Sequence, residues 1–301
     1  MTERPHMISK RKRIANFGPV LTAAVFMLCL RQIAPVAAPA QERYVVVGGA
    51  LTEIAYALGR QDAIVGVDAT SLFPPQALKD KANVGYFRAL SAEGVLSLRP
   101  TRILAVEGAG PPATLDALTA SGASVQRVAD QPTPDGVAQK ILAVGAALDA
   151  AKGAEALAAE ARARFAALEA RRQSIATPKR ALFVLAVQNG RLLCGGAGTA
   201  ADAMLRLAGA VNVAGFDGYK AITEEALVAA APEAIVGMAR DGAAVAEAIK
   251  AAPAVARTPA AQRQAIFEMD SLYLLGFGPR APEAAAELMT RFYPAGGTDA
   301  R

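Results

Sequence analysis

From residue 44 onward the chain alternates short apolar runs with stretches of helical periodicity. Residues 44–47 (Tyr-Val-Val-Val) read as a buried strand. Gly48-Gly49 then turns into a helix over about 51–58 that Gly59 ends. Further strands are expected at 64–67, 103–106 and 125–128. Between them lie a helix from about 91 to 98, stopped by Pro100, and another closing at 116–121 before Gly122. Strands and helices alternating in this way predict a parallel sheet covered by helices on both faces.

Residues 149–176 break the rhythm with an Ala-, Glu- and Arg-rich stretch that holds no internal proline and closes at Pro178. These are strong helix formers, and a helix of that length would span about 40 Å at 1.5 Å per residue. The alternation then resumes, with strands expected at 181–187, 235–238 and 265–269 and helices at 200–208 and 282–291. One pattern occurs twice. Leu90-Ser91-Ala92-Glu93, followed by Pro100 and Ile103, matches Ile222-Thr223-Glu224-Glu225, followed by Pro232 and Ile235. Each copy reads as an N-capped helix ended by proline and followed by a buried strand, with an acid two residues after the cap. The fold class expected is α/β: two Rossmann-like lobes with mainly parallel sheets, joined by one long rigid helix. The divisions fall at 1–40 (export signal), 41–148, 149–177 and 178–301.

The amino terminus changes the charge picture. Lys10-Arg11-Lys12-Arg13 precede an apolar stretch over 14–30, and Ala38-Pro39-Ala40 offers an A-x-A cleavage site with Gln41 as the first mature residue. The apolar stretch falls short of the roughly 20 residues a membrane span needs, and Arg31 interrupts it. Phe26-Met27-Leu28 ahead of Cys29 lack the small residue of a lipidation site, and no Arg-Arg pair marks a twin-arginine signal. A Sec-type signal and a periplasmic destination are therefore expected. Of the 32 Lys/Arg six lie in this segment, and of the 27 Asp/Glu only one, so the formal net charge of +5 belongs to the signal. Nucleic-acid binding loses its only support. Only Cys194 of the two cysteines remains, so stability must come from a packed core rather than a disulfide. The single histidine, His6, is also in the signal. Without it the mature chain has no Ser-His-Asp triad, no Cys-His pair and no histidine-containing zinc site. The turn at Gly48-Gly49 lacks G-x-G-x-x-G spacing, which argues against a dinucleotide.

Several segments carry a resemblance. Residues 48–59 (Gly-Gly-Ala-Leu-Thr-Glu-Ile-Ala-Tyr-Ala-Leu-Gly) and 68–75 (Asp-Ala-Thr-Ser-Leu-Phe-Pro-Pro) are similar to the haem-binding periplasmic proteins of bacterial haem ABC importers. The strongest match is 83–94, Asn-Val-Gly-Tyr-Phe-Arg-Ala-Leu-Ser-Ala-Glu-Gly, and Gly110-Pro111-Pro112, 199–204 and 274–278 complete it. The wider class, with cobalamin and ferric-siderophore carriers, shares two lobes and a connecting helix; the Val-Gly-Tyr-x-Arg segment narrows it to haem.

The resemblance implies that Tyr86 is the axial ligand of ferric haem. The chemistry suits it, because Fe(III) is a hard acid and phenolate an anionic oxygen donor. A free phenol titrates near ~10, so the iron must favour the phenolate, with Arg88 two residues on expected to donate a charge-assisted hydrogen bond to it. Some members of the family add a histidine from the second lobe. The matching neighbourhood here, Val187-Gln188-Asn189, has none, so one-sided ligation is expected, without a second stacked haem. Met238 and Cys194 read as core residues rather than as a sixth ligand. Phe73, Tyr219, Lys220 and Phe277 are expected in loops facing the haem cleft, with Lys220 a candidate partner for a propionate. By the same resemblance Glu93 and Glu225, one per lobe, are expected to dock onto an inner-membrane ABC permease dimer, a partner whose two-fold symmetry suits two like lobes. The expected protein is thus a monomeric carrier and not an enzyme. Its alternatives are a cobalamin or ferric-siderophore carrier and, more distantly, a periplasmic haem-dependent enzyme.

Overall fold

The computed structural model describes residues 42–239 and 245–294, so the expected signal at 1–40 lies outside the described residues. Strands β1 (Tyr44–Val47), β2 (Ile64–Val67), β3 (Ala82–Asn83), β4 (Arg102–Val106) and β5 (Ser124–Val128) form one parallel sheet in the order β3-β2-β1-β4-β5. All four residues of β1 are buried, as a central strand covered on both faces requires. Helices α1 (Gly49–Ala57), α2 (Gln76–Asp80), α3 (Ala92–Leu96), α4 (Pro112–Ala120) and α5 (Pro134–Ala147) connect and cover it. Strand order reverses between β1 and β4. Such a switch point opens a crevice at the carboxyl ends of the strands, where open α/β sheets bind ligands.

The long helix is α6 (Ala151–Gln173), about 35 Å at 1.5 Å per residue and shorter than the sequence pattern suggested. It starts late because Asp149, at φ +52°, ends the preceding helix in a left-handed turn. That preceding helix, α5, is not legible as a separate element in the alternation. A Cβ on Gly145 of α5 would stand 2.1 Å from the Cβ of Ala154, so this glycine lets α5 and α6 approach closely. The buried stripe of α6, Ala154, Ala158, Ala161, Phe165 and Leu168, recurs at three and four residues. It packs on α5 of the first lobe and on α12 (Ala281–Phe292) of the second, and so joins the two halves along its flank.

The second sheet comprises β6 (Lys179–Gln188), β7 (Arg191–Gly195), β8 (Ala210–Asn212), β9 (Tyr219–Ala221), β10 (Ala234–Ala239) and β11 (Ile266–Asp270). Its order is β11-β10-β6-β7-β9, with β8 on β6. Strands β11, β10, β6 and β8 run parallel, whereas β7 pairs antiparallel with both β6 and β9, so the sheet is mixed. The cause is the hairpin after β6: Asn189 and Gly190, at φ +50° and +75°, make the turn whose twist suits paired strands. Helices α7 (Ala200–Leu207), α8 (Glu224–Ala230), α9 (Val245–Lys250), α10 (Pro259–Gln262) and α11 (Ser271–Leu275) precede α12. Residues of β6 alternate between two cores, Ala181 and Phe183 facing the larger one that continues into the first lobe, Leu182 and Val184 facing a smaller one. The repeated pattern is real. Ser91 and Thr223 accept hydrogen bonds from the N–H of Gly94 (3.3 Å) and Ala226 (3.2 Å) and cap α3 and α8.

Candidate functional site

Loops at the carboxyl end of the first sheet are built around a buried carboxylate. Asp68, which follows β2, accepts hydrogen bonds from the Gly48 N–H at 2.7 Å, the Thr70 N–H at 3.0 Å, and the hydroxyls of Thr70 (2.6 Å) and Ser71 (3.1 Å). Gly49 donates to the Thr70 hydroxyl at 3.0 Å, and a Cβ there would stand 2.2 Å from the Thr70 carbonyl oxygen. The Gly48-Gly49 pair therefore serves close packing of α1 against the loop that carries Phe73.

Tyr86 sits on the next loop. Asn83 ends β3 with its side-chain oxygen accepting the Gly85 N–H at 2.9 Å, and Gly85 adopts φ +91°, a conformation that favours glycine. The Ala69 N–H bonds the Gly85 carbonyl (2.8 Å), the Gly110 N–H bonds the Phe87 carbonyl (2.8 Å), and the Leu90 N–H bonds the Gly110 carbonyl (2.9 Å). The Tyr86 turn is thus strapped to the loops after β2 and β4 on either side of the switch point. Tyr86 itself is 46% exposed, its ring edge-on to Phe87 at 4.8 Å. A rigid backbone presenting an exposed phenol can donate an oxygen to a ligand.

Arg88 departs from expectation. The Ala89 N–H bonds the Tyr86 carbonyl at 2.8 Å, so 86–89 is a turn, and the same-side rule for i and i+2 in extended chain does not apply. The guanidinium lies over Phe87, 5.0 Å from the ring centre, and no hydrogen bond to Tyr86 is found among the described residues. Its charge acts instead on Tyr219 of the second lobe. Burial pushes the Tyr219 phenol up, while Thr199, the Ala201 backbone and Arg88 pull it back. The ring remains 41% exposed. Together with Val211, the exposed large hydrophobic residues among those described are Phe73, Tyr86 and Tyr219.

The other two expected pocket residues of the second lobe differ in burial. Lys220 follows Tyr219 on β9 and so points to the opposite face, its ammonium 5.9 Å from the Phe216 ring centre. Phe277 is 1% exposed and belongs to the core, held at φ +47°. Met238 and Cys194 are both buried, and burial pushes the Cys194 thiol up to about 12. Glu93 and Glu225 are exposed on α3 and α8. A cavity of about 270 Å³ lies beside Glu225, lined by Leu192, Ile222 and Leu227 as well as Glu224 and Arg191. Among the described residues no group of three or more His, Cys, Asp or Glu is placed to hold a metal ion.

Sequence reasoning missed the charged contacts between the lobes. Glu53 of α1, 5% exposed, forms a bidentate ion pair with Arg280, through Nε at 3.0 Å and Nη2 at 2.8 Å. Lys140 of α5, 1% exposed, pairs with Asp130 and donates to the carbonyls of Phe277 (3.1 Å) and Gly276 (3.4 Å). Lys140 was findable: it is a lone cation among Val137, Ala138, Ile141 and Val144, all on the apolar face of one helix.

Two lobes of sheet and helix, tied by one long helix, with an exposed aromatic site at strand carboxyl ends, define a carrier architecture. The chain belongs to the periplasmic binding protein family, whose model matches residues 45–273. Among solved structures it is similar to the periplasmic heme-binding protein RhuT from Roseiflexus sp. RS-1, at 37% identity over 84% of this chain and 98% of that one, TM-score 0.80. It is also similar to the periplasmic heme-binding protein BhuT, solved with two hemes, at 40% identity over 83% and 97%, TM-score 0.78. A vitamin B12-binding protein of Yersinia pseudotuberculosis is 38% identical over 104 residues, which are 35% of this chain and 36% of that protein.

Proposed function

We propose that this protein is the periplasmic binding component of a haem importer. It takes ferric haem between its lobes, holds the iron through the Tyr86 oxygen, and passes the haem to an inner-membrane ABC permease. The observation that carries this reading is Tyr86 itself: a 46% exposed phenol on a turn strapped to both neighbouring loops, in a chain whose other exposed rings among the described residues are those of Phe73 and Tyr219. A flat apolar macrocycle needs aromatic surface and one iron donor, and these residues supply both. Kinship supports it as well, since RhuT and BhuT are heme-binding proteins at 37% and 40% identity across most of their length. The protein carries its ligand unchanged and is no enzyme. Cobalamin is the second reading, favoured by the 38% match to the B12-binding protein, but that match covers only 35% of the chain.

Titrating the purified protein with hemin tests this. A saturable Soret shift with tyrosinate-type high-spin character is expected, ending at one hemin per chain. Saturation at two, as in the BhuT complex, would refute one-sided ligation by a single haem. Binding of cyanocobalamin without a response to hemin would overturn the haem reading.

For docking, Glu93 and Glu225 occupy matching first turns of α3 and α8, and both are exposed. The Glu225 carboxyl is held below the usual carboxylate range by its own backbone N–H, the Thr223 hydroxyl and Arg257, so it is anionic at neutral pH. A Glu93→Lys/Glu225→Lys variant should bind hemin like the parent yet fail to support growth on haem as sole iron source. Normal growth of that variant would remove these residues from the docking surface.

A further inference from the structure

Phe73 raises a question that haem ligation leaves open: what keeps an exposed phenylalanine on a loop in one orientation? The answer lies in the second lobe. The Arg280 guanidinium carbon stands 3.5 Å from the centre of the Phe73 ring, and it also lies 5.1 Å from that of Tyr273. Behind the ring the guanidinium is gripped by Glu53, which accepts from Nε, Nη2 and also the Arg280 backbone N–H at 3.2 Å. The arm that delivers Arg280 is fixed as well, because buried Lys140 holds the carbonyls of Gly276 and Phe277.

We propose that Arg280 is a positioning residue for the ligand: locked to Glu53 and stacked on Phe73, it presets an aromatic wall of the cleft before haem arrives. This rests on the haem reading above. Glu53 compensates the charge of Arg280, so its contribution is a flat surface rather than a free cation for a propionate. One side of the Phe73 ring is covered by the guanidinium, and the residue is still 38% exposed. A wall already held in its bound orientation loses little side-chain freedom when a macrocycle stacks on it. The selectivity it confers is for a planar, extended π-surface and does not require the iron.

Metal-free protoporphyrin IX is therefore the discriminating probe, with hemin alongside. The parent chain should bind both. Phe73→Leu, a change at an exposed position, should weaken both by about tenfold, the scale of a desolvated cation–π or stacking contact. Arg280→Lys keeps a cation for Glu53 but neither the fork nor the plane, so it should cause a similar loss while retaining the tyrosinate signature of bound hemin. Because both variants remove one stack, the double variant should lose little more than either alone. Phe73→Tyr, which keeps the ring, should retain parental affinity. Parental porphyrin affinity in Arg280→Lys, or losses that multiply in the double variant, would overturn the assignment. Binding of hemin but not of protoporphyrin by the parent chain would also overturn it, whereas failure to bind hemin at all would overturn the haem reading beneath it.

Discussion

Replacing Tyr86 by phenylalanine should lower hemin affinity by about two orders of magnitude, roughly 2.7 kcal/mol, and abolish the tyrosinate charge-transfer absorption. Phenylalanine is the informative substitution because it removes only the oxygen. The ring packs edge-on against Phe87 and is 46% exposed, and its loop is held by backbone bonds, so the fold should not register the change. The loss is confined to one bond because the described residues offer no replacement: Met238 is in the core, and Cys194 is fully buried with its thiol pushed up to about 12. Metal-free protoporphyrin, which cannot be ligated, should lose far less. Unchanged hemin affinity and spectrum in Tyr86→Phe would mean that another group holds the iron. Arg88→Ala should have a smaller effect, about tenfold, since its guanidinium stacks on Phe87 and reaches Tyr86 only by reorienting.

The sequence made Tyr86 legible and its surroundings only partly so, for physical reasons. Strands β1, β2, β4 and β10 carry apolar runs of four to six residues, which periodicity reads directly. Strands β7, β8 and β9 escaped, since β8 and β9 are three residues long and the apolar run within β7, Leu192–Cys194, is no longer. Asn189-Gly190 between two apolar runs was a hairpin signal in plain view, and it would have revealed the antiparallel half of the second sheet. Helix α5 was hidden by Gly136 and Gly145, weak helix formers that are present because Gln131 and Ala154 pack against them too closely for a side chain. The misplacement of Phe277 has a physical cause. Membership of a loop or short strand says nothing about which face a side chain takes, and that is decided by contacts far away in sequence. The pairs Glu53–Arg280 and Lys140–Phe277 are of this kind, separated by 227 and 137 residues.

Replacing Lys140 by methionine should destabilise the protein by about 3 kcal/mol, lowering Tm by roughly 6–12 °C for a chain of this size. The side chain is buried, yet all three of its bonds are to groups that need a donor: the Asp130 carboxylate and the carbonyls of Gly276 and Phe277. Methionine fills most of the volume and removes the cation, so cavity formation contributes little and the lost polar bonds dominate. Asp130, at 43% side-chain exposure, can be rehydrated, which keeps the cost at the lower end for a broken ion pair. The two carbonyls cannot be rehydrated as easily, and Phe277 would also lose a contact that holds it at φ +47°, a conformation costly for any residue but glycine. Thermal unfolding followed by circular dichroism, with Asp130→Asn as the milder comparison, decides the matter. A Lys140→Met protein as stable as the parent would show that desolvating the ammonium costs as much as its bonds return. If the destabilisation is as large as expected, porphyrin affinity should fall with it, since the segment Lys140 secures is the one that carries Arg280 to Phe73.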